Sequence, residues 1–260
     1  MGIKTKISKD DLPLKYQKYD LIETKDGVSD SVYLLSNKFV VKIYEDENYN
    51  LDSEIELLNN IRDLNTIQFV EVFKVGKKNS IVYKQIDGRS IIAPNNTHIK
   101  QLAEFLKEFH SKTKQKTSNN PNIFEYERIK SLIKNRGNKL IQSYFEKIRL
   151  ELKNDGIIHG DIFPDNVYFL DDKLNGVLDF SEACNGDFLF DLAVVTISWC
   201  FDENRLNEEK LNTLIENYDN SIDRDQFLEY IKYALLCYTI FRYIDNRDYK
   251  QLLNRLEGLQ

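Results

Sequence analysis

The early part of the chain is patterned for strands. At 39–44, Phe39, Val41 and Ile43 fall on one face of an extended segment and Val40, Lys42 and Tyr44 on the other. Short apolar runs at 21–22 and 32–35 precede it, separated by Gly27-Val28-Ser29-Asp30-Ser31, and Ser36-Asn37-Lys38 closes a hairpin. A second hairpin is expected from 68–75 and 80–86 around Gly76-Lys77-Lys78-Asn79. Between the hairpins, 52–61 has helical spacing, with Glu54, Leu58 and Ile61 on one face. Beyond residue 87 the pattern becomes mainly helical. Ile99, Leu102, Ala103, Leu106, Phe109 and His110 form one stripe and Ile231, Ala234, Leu235, Tyr238 and Phe241 another. Helical patterns also cover 123–134 and 140–152, after a polar loop at 112–122. Short apolar runs at 157–158, 167–170 and 177–180 read as buried strands, the last two joined by a polar turn at 171–176. The expected architecture is α/β (α+β) and bilobal, with a small antiparallel-sheet lobe at 1–87 and a mainly helical lobe at 88–260.

Three oxygen-bearing side chains stand beside those short strands: Asp161, Asn166 and Asp179. A hairpin across 167–180 returns Asp179 to the end where Asn166 begins and leaves Asp161 apart. Hard oxygen ligands with open positions suit Mg²⁺, and an isolated carboxylate can take a proton from a hydroxyl. Phosphoryl transfer needs that division of labour, because the protein contributes mainly positioning and charge neutralisation. Each residue alone reads better as a turn former. The ordered set His159-Gly160-Asp161, Asn166 and Asp179-Phe180 points instead to a catalytic and metal-binding loop.

The sheet lobe carries matching candidates. Glycine and small polar residues at 27–31, with Ser29 and Ser31 among them, would let backbone N–H groups approach a phosphate, although a plain hairpin turn is the simpler reading. Lys42 sits mid-strand among β-branched residues. Glu54 lies on the core-facing stripe of its helix, where a carboxylate is costly unless it meets a cation, so a Lys42–Glu54 pair is expected.

Together these residues resemble the aminoglycoside phosphotransferase-like superfamily of small-molecule kinases, whose catalytic loop is His-x-Asp followed by Asn. Protein kinases usually carry Arg after that His and Gly after Asp-Phe, where this chain has Gly160 and Ser181. The resemblance implies a protein-kinase-like fold with ATP and Mg²⁺ as cofactors. It implies Asp161 as catalytic base, Asn166 and Asp179 as metal ligands, and Lys42 on the nucleotide phosphates, held by Glu54. It also implies a hinge at which backbone groups of Lys84 and Ile86 meet the adenine edge, with Tyr83 behind the ring. Asp191, in Asp191-Leu192-Ala193, would support the catalytic loop from below. His110, at the end of its helical stripe, reads separately as a structural histidine rather than a catalyst.

Asp179-Phe180-x-x-Ala183-Cys184-Asn185, with Asp191-Leu192-Ala193 and Trp199-Cys200-Phe201, is most similar to the type II homoserine kinase and choline kinase branch. The acceptor would then be a small-molecule alcohol. For homoserine or a similar amino alcohol, Glu182 could meet the ammonium and Arg242 the carboxylate. Arg242 pairing with a nearby acid is the plainer reading. Choline or ethanolamine would want an aromatic cage, for which Trp199 and Phe201 are candidates. A sugar or aminoglycoside is the other alternative, the latter wanting many carboxylates, for which Glu182, Asp187, Asp202 and Glu203 are candidates. A nucleotide-binding pseudokinase is the non-enzyme alternative, and the complete catalytic set argues against it.

Charged residues make up 30% of the 260 and hydrophobic ones 42%, ordinary for a soluble protein. A net charge of −6 offers no basic surface for nucleic acid. Cys184, Cys200 and Cys237 are odd in number and widely spaced, which gives neither metal-ligand spacing nor a disulfide framework and suggests a reducing cytoplasm. The first 14 residues contain no apolar signal core, and the apolar run 189–201 is broken by Asp191 and too short to span a bilayer. No membrane partner is expected, and the sequence does not address oligomeric state.

Overall fold

The structure is a computed structural model that describes residues 2–24 and 29–259. It divides into two compact units, Met1–Asp87 and Gly88–Gln260. The first contains β1 (Leu21–Glu23), β2 (Ser31–Leu35), β3 (Phe39–Ile43), α1 (Leu51–Asn60), β4 (Gln68–Val75) and β5 (Lys78–Lys84). Its sheet runs β1-β2-β3-β5-β4, antiparallel at every pairing. The second hairpin starts earlier than expected. Val75 pairs with Lys78 across a two-residue turn in which Gly76 takes φ 60°, and this draws Lys78 and Asn79 into the ladder.

Alternation along β3 sends Val41 and Ile43 into a cluster with Tyr33, Leu35 and Val82. Leu12 and Tyr16, from the segment before β1, close that cluster at 3% exposure each. Tyr16 meets Phe39 edge-on at 5.3 Å, and the Tyr33 hydroxyl donates to the Thr5 carbonyl at 2.8 Å. A segment that reads as polar is therefore part of the core, through two side chains one helical turn apart.

The second unit contains α2 (Asn96–Thr113), α3 (Tyr126–Arg136), α4 (Lys139–Phe145), β6 (Gly156–Ile158), β7 (Val167–Leu170), β8 (Lys173–Val177) and β9 (Cys184–Gly186). It continues with α5 (Phe188–Trp199), β10 (Phe201–Asp202), β11 (Arg205–Leu206), α6 (Glu208–Tyr218), α7 (Arg224–Ile244) and α8 (Lys250–Glu257). Both predicted stripes are buried, that of α2 throughout and that of α7 through Tyr238. The helix expected over 140–152 stops at Phe145. The Arg149 guanidinium takes the carbonyls of Glu146 and Ile148, and its backbone N–H turns away to Glu229. The turn after β7 is tighter than expected: Asp171 and Asp172 both adopt positive φ and Leu170 pairs with Lys173. β8 therefore begins earlier and ends before Asp179. Among the described residues no helix is long and apolar enough to cross a membrane, and the three cysteines are buried.

Leu12→Ala should destabilise the first unit by about 2–5 kcal/mol, the usual cost of emptying a buried leucine site. Chemical denaturation measures it; a loss under about 1 kcal/mol would mean that the N-terminal segment does not seal this core.

Candidate active site

β6 delivers the chain into His159-Gly160-Asp161, and a single buried carboxylate shapes the turn. Asp191, fully buried on α5, accepts from the backbone N–H of His159 and of Gly160, both at 2.8 Å, and pairs with His110 Nε2 at 3.1 Å. Burial pushes its pKa up, but the His110 hydrogen bond and charge, with His159, outweigh this and hold it below the ordinary value. His110 Nδ1 in turn receives the Tyr218 hydroxyl at 2.8 Å. His159 donates from Nε2 to the Leu178 carbonyl at 2.9 Å and accepts the Asp161 N–H at Nδ1, which fixes one neutral tautomer. Gly160 sits at φ 79°, and a Cβ there would lie 2.6 Å from the Phe124 ring. The arginine that protein kinases carry at this point has no room here.

Asp161 is less isolated than the sequence suggests. Asn166 Nδ2 donates to its Oδ2 at 2.8 Å and to its carbonyl at 2.9 Å. Five residues of loop, tightened by Pro164, bring the amide back onto the carboxylate. Burial first, then the charges of Asp179, Asp165 and Glu182, push the Asp161 pKa well above the ordinary carboxylate value, against the Asn166 hydrogen bond.

The β7–β8 hairpin pairs Val167 with Val177, and Leu178 N–H bonds the Asn166 carbonyl at 2.8 Å, so Asn166 and Asp179 leave the hairpin at the same end. Asp179 is left-handed at φ 56°, and its carboxylate accepts the Ser181 hydroxyl at 2.5 Å. Among the described residues no three His, Cys, Asp or Glu side chains form a metal cluster. One amide oxygen and one carboxylate nevertheless fit Mg²⁺, which completes its shell with phosphate and water.

In the first unit Lys42 Nζ lies 3.3 Å from Asp30 and 4.9 Å from the centre of the Tyr44 ring. Glu54, 1% exposed, accepts from the hydroxyls of Tyr44 and Tyr49, both at 2.6 Å, and of Tyr83. Lys42 and Glu54, the expected pair, are linked through Tyr44, whose ring lies under the ammonium and whose hydroxyl donates to Glu54. Tyr83 is committed to Glu54 through its hydroxyl. Tyrosines flanking a buried glutamate were the signal that sequence reasoning passed over.

The Ser31 side chain offers a phosphate nothing: it is fully buried, its hydroxyl donates to Glu45 at 2.6 Å and receives the N–H groups of Lys4 and Thr5, which leaves any contact there to the backbone. The strand alternation of β2 turns it inward. Ser29 is exposed, and its carbonyl accepts from Lys4 Nζ at 2.8 Å. Gly27 and Val28 lie outside the described residues. Lys84 closes β5 with its ammonium on Gln68 at 3.0 Å, and Ile86 follows it half-buried.

On the acceptor side, Trp199 is corrected. It is 1% exposed, its indole N–H donates to the Ile162 carbonyl at 2.8 Å, and Phe201 is covered by Arg255, so the two form no open cage. Of the four acidic candidates, Asp187 is buried as the cap of α5 and Asp202 is held by Lys210 and Asn207, while Glu203 is exposed. Glu182 is exposed and acts electrostatically on Asp161. Arg242 is half-buried on α7; burial and Arg247 lower its pKa, opposed by Asp248, Asp165 and Asp161. Arg242 and Glu182 therefore both lie within the field of Asp161, and Trp199 serves the core.

The phosphotransferase enzyme family (APH) matches this sequence over residues 20–224. The chain belongs to that family. Homoserine kinase of Sinorhizobium medicae is 29% identical over 149 residues, 52% of this chain and 46% of the relative. That of Parvibaculum lavamentivorans is 45% identical over 64 residues, 24% and 20% of the two chains. The chain thus spans about half or less of the length of the curated relatives it matches. Among solved structures, choline kinase LicA from Streptococcus pneumoniae aligns with a TM-score of 0.70 at 15% identity, covering 92% of each chain. The GDP and kanamycin complex of APH(2")-IIia aligns with a TM-score of 0.68 at 16% identity, covering 92% of this chain and 91% of that one. The phosphotransferase fold is common to these structures. This member combines it with a loop organised by Asp191, Asn166 and a neutral His159.

His159 gives this unit a pH dependence of defined sign. Burial holds its native pKa below the 6.5 of a free imidazole. As pH drops through about 6.5 the unfolded chain takes up a proton that the native chain does not, so stability falls; it is fully present above that value. The urea midpoint should be lower at pH 5.5 than at pH 7.5, and His159→Gln should shrink the difference. An unchanged pH dependence in the variant would remove His159 as its source.

Proposed function

We propose that this chain transfers the γ-phosphoryl group of ATP to the hydroxyl of a small molecule. The observation that carries this reading is the loop geometry: Asp161 held by Asn166, with Asn166 and Asp179 leaving one hairpin end together. Asp161 accepts the proton of the acceptor hydroxyl as the oxygen attacks. Asn166 orients that carboxylate through Oδ2, which keeps Oδ1 for the substrate. Mg²⁺, held by Asn166 Oδ1, Asp179 and phosphate oxygens, would neutralise the charge developing on the transferred group. Lys42 contacts the nucleotide phosphates, positioned by Asp30, Tyr44 and Glu54. Backbone groups of Lys84 and Ile86 bind the adenine edge, and Ser29 contributes backbone alone.

For the acceptor, a homoserine-like amino alcohol is the reading favoured. Arg242 supplies the cation for its carboxylate and Glu182 the anion for its ammonium, and both act on Asp161 electrostatically. The partial matches to homoserine kinases agree with it. A choline reading loses its aromatic cage with Trp199 in the core.

Mg²⁺-dependent ATP consumption against homoserine, choline, ethanolamine, sugars and aminoglycosides tests the whole reading. Asp161→Asn should retain ATP binding and lower turnover roughly 10²–10⁴-fold. By calorimetry, Asp179→Ala should weaken Mg²⁺-dependent nucleotide binding more than Asn166→Ala, because it removes charge as well as a ligand; equal losses would count against the metal assignment.

Arg242→Ala separates the acceptors. It should raise KM at least about tenfold for a carboxylate-bearing alcohol, as expected for loss of a charge-assisted contact, and leave KM for choline unchanged. Turnover of a sugar with no response to homoserine would overturn the acceptor while leaving the kinase reading intact.

A further inference from the structure

The backbone that carries Asp161 is clamped from two helices. On one side, Asp191 of α5 receives the Gly160 N–H at 2.8 Å. On the other, the Tyr238 hydroxyl of α7 donates to the Gly160 carbonyl, the oxygen of the very peptide whose nitrogen belongs to Asp161. That nitrogen is itself bound to His159 Nδ1 at 3.1 Å. The Tyr238 ring then packs against Phe163, two residues beyond Asp161, at 4.8 Å between centroids, and against Phe124 at 6.0 Å. Phe124 is the side chain that denies Gly160 a Cβ. Phe163 N–H closes back on the Asp161 carbonyl at 2.9 Å. Tyr238 therefore touches the loop on both flanks of the carboxylate without touching the carboxylate itself. One helical turn further along α7 stands Arg242, within the field of Asp161 and Asp165.

We propose that Tyr238 is a positioning residue for phosphoryl transfer: through the Gly160 carbonyl and Phe163 it fixes the Asp161 carboxylate relative to Arg242, so that acceptor hydroxyl and acceptor carboxylate are registered by one helix. This rests on the assignment of Asp161 as base. Burial, with the Asp161 charge second, pushes the Tyr238 pKa well above its ordinary value, so the phenol stays protonated and remains a donor. A purely apolar ring would fill the same space but leave the buried Gly160 carbonyl without this donor and its peptide held only through the N–H on His159. Small misplacements of a catalytic group cost up to about 100-fold in rate.

The test is a double-mutant cycle of Tyr238→Phe and Asp161→Asn, with turnover expressed per nucleotide-binding site titrated by calorimetry. Tyr238→Phe should lower turnover per site about 10- to 100-fold, with KM for ATP unchanged. In the Asp161→Asn background the same substitution should change almost nothing, because the group it positions is gone. Full multiplication of the two losses would overturn the proposal. So would a drop in binding sites with normal turnover per site, since the hydroxyl would then serve only folding. A crippled Asp161→Asn beside a wild-type Tyr238→Phe rejects the role of Tyr238 alone, whereas near-normal turnover in Asp161→Asn rejects the base assignment beneath it.

Discussion

The second unit depends on placing one carboxylate, Asp191, where water does not reach. An ion in that position is expensive unless donors surround it. The chain supplies two consecutive backbone N–H groups, His159 and Gly160, and one imidazole, His110. Satisfying that anion forces the backbone of 159–160 to turn toward α5, and the turn is what swings Asp161 outward. The same constraint extends outward: His110 belongs to α2 and is held by Tyr218 of α6, so three helices converge on the loop. The turn of the loop and its anchoring to α5 are consequences of a single buried charge.

The first unit solves the same problem with different chemistry. Glu54 is as deeply buried, yet its donors are tyrosine hydroxyls, from Tyr44 just beyond β3, Tyr83 on β5 and Tyr49 in the connection to α1. Tyr44 and Tyr49 stack at 4.2 Å, which locks both rings. Hydroxyls satisfy the hydrogen bonds of a carboxylate without cancelling its charge, so the cluster still attracts a cation. Lys42 lies over the Tyr44 ring, whose edge carries the hydroxyl bound to Glu54.

Much of this was legible from periodicity and spacing, and the exceptions share a physical cause. Strand alternation placed Val41 and Ile43 correctly because a half-buried sheet leaves a period-two signature. The order His159, Asp161, Asn166, Asp179 marks the loop because these residues lie beside short strands: His159 follows β6, Asn166 precedes β7 and Asp179 lies just past β8. What sequence did not reveal were side chains whose polar atoms are consumed by distant segments. The Ser31 hydroxyl looks available until Glu45, Lys4 and Thr5 are seen to exhaust it, and Trp199 looks like a cage until its N–H reaches Ile162. The Asn166–Asp161 bond is similar: which face of an amide meets which carboxylate is decided by loop geometry, and spacing is silent on it.

Burial first, then the charges of Asp179, Asp165 and Glu182, raise the Asp161 pKa, and Arg242 stands in the same field with its own charge opposed by burial. Such a surface is poised to take up positive charge. In the proposed reaction a metal–nucleotide complex would bring it at Asp179 and Asn166, and an ammonium-bearing acceptor at Glu182. A simple anion gains only Arg242 and is repelled by the remaining groups. A cation without a carboxylate gains the acids but leaves Arg242 half-buried with nothing new to pair with. An acceptor carrying both charges would satisfy both ends at once, which is the electrostatic ground for the zwitterionic alcohol proposed above.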